Sequence, residues 1–124
     1  MVQLRISQKS DMLCTLGWTV EILDEVVAIE LGALPADVRA KFYRIAGLLE
    51  AFGPHMVREP YVKHLEGKLW EMRMKGRDGI ARAIYVAVHG QRLFVLHAFT
   101  KKTQKTPRSA LEMAIKRARE GGLL

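Results

Sequence analysis

Cysteine is almost missing. Cys14 stands alone in 124 residues, so the chain has no internal disulfide and no thiolate cluster for a metal. The 4 histidines (His55, His64, His89 and His97) fall in no ligand spacing that would build a zinc site. Long apolar runs are lacking too. None approaches the roughly 18 residues a membrane span needs. The first sixteen residues carry Arg5, Lys9 and Asp11 instead of an apolar leader. No phosphate-cradling GxxxxGK[ST] occurs. These absences point to a cytoplasmic protein with no metal, no cofactor and no membrane contact. Its chemistry must come from ordinary side chains.

Acidic residues are scarce in one half only. Residues 1–60 hold six Lys/Arg against eight Asp/Glu, a balance of −2, whereas residues 61–124 hold fourteen against five, a balance of +9. A field of that sign over half of one domain attracts polyanions and raises encounter rates. The plainer meaning is a soluble surface, or a patch for an acidic partner.

The chain reads as an N-terminal extension without clear period (residues 1–16) followed by one domain (residues 17–124). Trp18, Val20 and Ile22 alternate along a short strand. Asp24 offers an N-cap for a brief helix that ends at Gly32. Pro35 opens a longer helix, with Val38, Phe42, Ile45, Leu49 and Phe52 on one stripe. Gly53 and Pro54 stop it. Residues 55–67 read as a basic connecting loop. Three apolar runs follow, at 69–74, 80–88 and 93–99, joined by hairpin-length links that contain glycine. Thr106 is placed to cap a last helix, with Pro107 at its first position and Leu111, Ala114, Ile115 and Ala118 facing the core. The order strand-helix-helix-strand-strand-strand-helix predicts an α+β fold. Its sheet is small and mainly antiparallel, with the helices packed to one side.

Within this frame one cluster carries chemistry. Glu71 and Arg73 sit at i and i+2 in a predicted strand, so both leave the same face. Arg82 lies on the next strand, and Lys101 and Lys102 end the one after. A carboxylate can take the proton of a ribose 2′-hydroxyl. Guanidiniums match the oxygens of a phosphate, and an ammonium stabilises charge on its far side. Cleavage of RNA is the reaction this set fits, with Glu71 as base, Arg73 and Arg82 on the phosphate, and Lys101 or Lys102 opposite. His97, Tyr85, a lysine or an arginine are open candidates for the acid. Lys63, Lys68, Tyr85, Lys101 and Lys105 are candidate RNA contacts. Against this, Glu71 and Arg73 or Arg82 could be ion pairs of little energetic weight. The lysines could be a solvated loop, His97 a satisfied core histidine, and Trp18, Trp70 and Phe94 simply core.

Leu34-Pro35, Leu69-Trp70-Glu71-Met72-Arg73, Arg82-Ala83-Ile84-Tyr85 and Glu112-Met113-Ala114 frame a more specific run. That run goes from His97-Ala98-Phe99-Thr100 into Lys101-Lys102-Thr103-Gln104-Lys105-Thr106-Pro107. With these motifs the chain resembles the RelE/HigB superfamily of type II toxins, in its phage-derived HigB-like branch, over about residues 17–120. The resemblance implies a microbial ribonuclease-like fold and metal-independent cleavage of mRNA in the ribosomal A site. It also implies neutralisation by an antitoxin with a helix-turn-helix domain, in assemblies that are often heterotetramers. Glu71, Arg73, Arg82, Lys101 and Lys102 match the family's motif positions. A rival expectation is a non-catalytic basic module of phage or mobile-element origin that binds nucleic acid or protein.

Overall fold

Residues 81–86 are buried without a break, so both faces of that stretch are covered and the rest of the chain is arranged around it. The computed structural model describes residues 5–6, 17–77, 79–101 and 105–124. Its elements run β1 (Arg5–Ile6), β2 (Thr19–Ile22), α1 (Glu25–Gly32), α2 (Ala36–Phe52), β3 (Val62–His64), β4 (Leu69–Lys75), β5 (Ile80–Val88), β6 (Arg92–Lys101) and α3 (Arg108–Glu120). No helix among the described residues is long and apolar enough to cross a membrane.

The six strands form one sheet in the order β1-β2-β6-β5-β4-β3. The meander β4-β5-β6 expected from the three apolar runs is present and antiparallel, while β2 pairs with β6 in parallel. The fold is therefore α+β with a mixed sheet, in the order expected, plus two short strands. β1 pairs in parallel with β2 through Arg5↔Glu21 and Ile6↔Ile22. β3 lies inside the segment read as a loop. Its three residues are too few to show an alternation, and pairing with β4 (Val62↔Met72) is what makes them a strand.

The helices do not all lie on one side, and this corrects the sequence reading. α1 and α2 cover one face, packing Val27, Phe42, Ile45 and Leu49 against Met72, Ala83, Tyr85 and Val95. α3 covers the other, with Leu111, Ala114 and Ala118 against Leu69, Ile84, Val86 and Leu96. A sheet whose middle strands are apolar on both faces needs such a second layer. A bulge between Ile84 and Tyr85 lets Leu96 stand opposite no partner. It shifts the phase of β6, so that Val95 and Ala98 reach the same core.

The caps are partly as read. Asp24 accepts from the Val27 amide at 3.1 Å. On α2, Phe52 is 61% exposed, which corrects its place on the buried stripe. Gly53 ends α2 at φ +83, ψ 161, a region essentially reserved to glycine. A Cβ there would stand 2.9 Å from the indole nitrogen of Trp18.

β2 ends beside Val95 with the bond from the Leu23 amide to the Val95 carbonyl, and among the described residues no strand pairs with the rest of β6 on that side. Side chains take over. Glu30 of α1 accepts from the Ala98 amide at 3.2 Å, and Arg117 of α3 donates to the Leu96 carbonyl at 3.0 Å. Arg117 also binds both oxygens of Glu30, at 2.8 and 2.9 Å, and His97 Nδ1 lies 2.9 Å from one of them. The clamp joins the two helix layers around the open edge of β6.

Two predictions follow from these anchors. Burial pushes the Glu30 carboxyl up, but hydrogen bonds from Arg117, His97 and the Ala98 amide outweigh it and hold the group below its ordinary 4.5. The unfolded chain then takes up the proton first. The stabilisation is full above about pH 4.5 and is lost as pH falls through the lower folded value. Glu30→Gln is expected to flatten this acid slope in urea unfolding series. Gly53→Ala is expected to cost about 2–3 kcal/mol by urea midpoint. Gly67→Ala, at φ +55 with open space around it, is expected to cost about 1 kcal/mol.

Candidate active site

On β4 and β5 the residues that continue α3's face beyond the end of that helix are charged. Glu71 stands opposite Ile84 and Arg73 directly opposite Arg82. On β6, Lys101 stands opposite Ile80, and Phe99 opposite Arg82. Strand alternation and this register bring Glu71, Arg73, Arg82 and Lys101 onto one face, as the sequence reading required. Lys63, opposite Glu71 on the edge strand β3, borders the same face and is exposed.

The group is largely buried: Glu71 and Arg82 are each 2% exposed and Lys101 7%. Arg82 Nε lies 3.4 Å from Glu71 Oε1. The two form an ion pair, but Nε has no hydrogen bond among the described residues. Arg82 Nη1 donates instead to the Ala81 carbonyl at 3.0 Å. The other carboxylate oxygen of Glu71 accepts from the Thr106 hydroxyl at 2.5 Å. This corrects the reading of Thr106 as a helix cap, since α3 starts after Pro107 with no side-chain cap bond. The signal for Thr106 was its place just beyond the basic run. Its partner, 35 residues earlier, was invisible without the fold.

The electrostatics are those of one acid among several cations. Arg82 is lowered by burial and by Arg73, with Glu71 opposing. The Lys101 ammonium is lowered below the ordinary lysine value by burial first and by Arg82 next. Glu71 raises it, while Arg73 and Lys63 lower it further. Two arginines directly opposed across a ladder repel each other, and an anion placed between them would relieve the repulsion.

The other expected site residues divide. Lys102 lies outside the described residues. Lys105 is exposed on the approach to α3. Tyr85 is turned to the opposite face, in the core under α2. It stands at i+3 from Arg82, an odd offset, so alternation alone could have excluded it from the cluster. Lys68 is exposed in the β3–β4 turn and borders a cavity on that opposite face. His97 is engaged by Glu30, the satisfied histidine of the plainer reading. Among the described residues no group of three or more His, Cys, Asp or Glu is placed to hold a metal ion.

Removing Glu71 alone would leave Arg82 buried and unpaired. Glu71→Ala is expected to cost about 3–5 kcal/mol in urea unfolding, and the double change Glu71→Leu with Arg82→Met markedly less. Equal losses in both would show that the pair is not coupled.

Residues 29–119 match the family described as phage derived protein Gp49-like. No curated protein matches the chain. Among solved structures, it is similar to a chain of the archaeal RelE-RelB complex from Pyrococcus horikoshii OT3, with a TM-score of 0.53 and 24% identity. The match covers 73% of this chain and 100% of that one.

Proposed function

The chain belongs to the phage-derived Gp49-like family, and from that premise and its RelE-like fold we propose that it is the toxin of a type II toxin–antitoxin pair, an endoribonuclease that cleaves mRNA. The observation that carries the proposal is one carboxylate, Glu71, set on a single sheet face with Arg73, Arg82 and Lys101. The opposed arginines supply the site for a phosphodiester, since two planar guanidiniums match its oxygens. The substrate's 2′-hydroxyl displaces the hydroxyl of Thr106 and gives its proton to Glu71. The 2′-oxygen bonds to phosphorus, the bond from phosphorus to the 5′-oxygen breaks, and a 2′,3′-cyclic phosphate forms. Lys101, with its lowered ammonium, gives the proton that the 5′-oxygen needs. The cations hold the charge that develops on the phosphate. The cycle needs no metal. Lys105 extends the basic approach, and by the resemblance of the sequence Lys102 is a further cation of the site.

The partner named with the similar structure supports a protein antitoxin as the neutralising partner. By the resemblance of the sequence, that antitoxin carries a helix-turn-helix domain and binds toxin in a heterotetramer. The target is mRNA in the A site of the ribosome, in the cytoplasm. Residues 17–124 form the toxin domain and residues 1–16 an extension.

One observation favours a second reading. Glu71 is 2% exposed and held from both sides, as in a structural ion pair of a non-catalytic basic module. Induction of the chain alone in a bacterial host, with mRNA ends mapped, separates the two. Wild type is expected to stop growth and leave new ends on translated messages. Glu71→Gln and Lys101→Met are expected to lose both by at least a hundredfold, a typical general acid–base contribution, while still folding. Full growth arrest by Glu71→Gln would favour the binding module.

A further inference from the structure

The face of the sheet turned away from Glu71 holds a cavity of about 710 Å³. It lies between the segment after α2 and the β3–β4 hairpin, where α1 and α2 no longer cover the strands. Trp70 projects into it from β4 and is 37% exposed, which corrects its reading as core. Trp18 faces it from the other wall, packed on the backbone of Gly53. His64 meets the Trp70 ring edge-on at 5.0 Å and is held by the Gly67 carbonyl at 2.8 Å. The rim carries exposed Arg58, Lys63 and Lys68 against one acid, Glu59.

The floor is Tyr85, 1% exposed, whose hydroxyl has no hydrogen-bond partner among the described residues. Burial raises the phenol above its ordinary value, so it remains a donor at any working pH. A buried hydroxyl without a partner costs stability. Its presence among aromatic walls and basic rim residues is the mark of a site that a polar ligand completes.

We propose that this cavity is a nucleotide-binding site, separate from the Glu71 cluster. The base lies against Trp70 and Trp18, where any base finds a π-face. Arg58 and Lys68 hold the phosphate, and the Tyr85 hydroxyl donates to an acceptor on the base or sugar. The volume falls within the range of small-ligand sites. The ligand is either a free mononucleotide or one nucleotide of a single RNA strand. The site does not rest on the cleavage reading, because Trp18, Arg58, Lys68, Trp70 and Tyr85 lie outside the Glu71 cluster, and only Lys63 of the lining also borders that face.

The chain has 2 tryptophans and both line the cavity, so intrinsic fluorescence reports on this site directly. The purified chain is titrated with 5′-AMP, with adenosine, with inorganic phosphate and with a four-nucleotide 2′-deoxy strand. Saturable quenching by 5′-AMP or by the strand is expected, with adenosine and phosphate each weaker. Tighter binding of the strand assigns the site to a polymer, and tighter binding of 5′-AMP to a free nucleotide. Joint Arg58→Ala and Lys68→Ala is expected to weaken binding at least tenfold. Tyr85→Phe is expected to weaken it about fivefold, the value of one net hydrogen bond, with an unchanged or higher Tm. Glu71→Gln is expected to leave binding unchanged, so failure here and failure of the cleavage reading are distinguishable. No saturable quenching by either nucleotide probe overturns the proposal. So does quenching that survives undiminished in the Arg58/Lys68 variant and in Tyr85→Phe, or phosphate binding as tightly as 5′-AMP.

Discussion

The open edge of β6 is the constraint that the rest of this structure answers. β2 stops beside Val95, and from there β6 has backbone groups on one side that no strand among the described residues reaches. A buried amide or carbonyl left unpaired would cost more than most contacts in the chain contribute. Glu30 and Arg117 fill the gap from opposite layers and bind each other in doing so. One charged pair thus closes a sheet edge, ties α1 to α3, and fixes α3 over half of its face. The part of that face left beyond α3 is where Glu71, Arg73, Arg82 and Lys101 gather.

The sheet separates two environments by strand alternation. Neighbours in sequence, Trp70 and Glu71, point to opposite faces. One enters an aromatic cavity with a basic rim, and the other enters a carboxylate–guanidinium cluster. β5 does the same with Arg82 and Tyr85. Both are about as buried as a side chain can be, with Arg82 2% and Tyr85 1% exposed. The cost of burying Arg82 is met by Glu71, whereas the Tyr85 hydroxyl has no partner among the described residues. That difference is why the two faces call for different explanations.

Much of the fold was legible. The three apolar runs became β4, β5 and β6 because their length, glycine-containing links and β-branched content leave few alternatives. Asp24, Pro35 and Gly53 marked helix ends through local backbone chemistry. The resemblance to RelE/HigB toxins, read from the L-W-E-x-R and K-K-T-Q-K-T-P runs, is borne out by the family match and by the shared fold. What failed was non-local. β3 exists only because β4 lies beside it. Phe52 and Trp70, both read as buried from the pattern of their neighbours, are exposed at 61% and 37%.

The sequence by itself determined which side chains alternate with which, and hence that Glu71 and Arg73 share a face. It also determined that cations concentrate in the second half of the chain. These are properties of covalent order, and a strand's period of two carries them into space unaided. Tertiary structure alone decided the cross-strand register that opposes Arg73 to Arg82. The same holds for the bulge that resets the phase of β6, the placing of α3 on the second face, and the hydroxyl of Thr106 on Glu71. The register and the bulge depend on how the hairpin turns and the packed faces fit together, and the other two on free energies summed over residues far apart in the chain, whose partners share no short window of sequence.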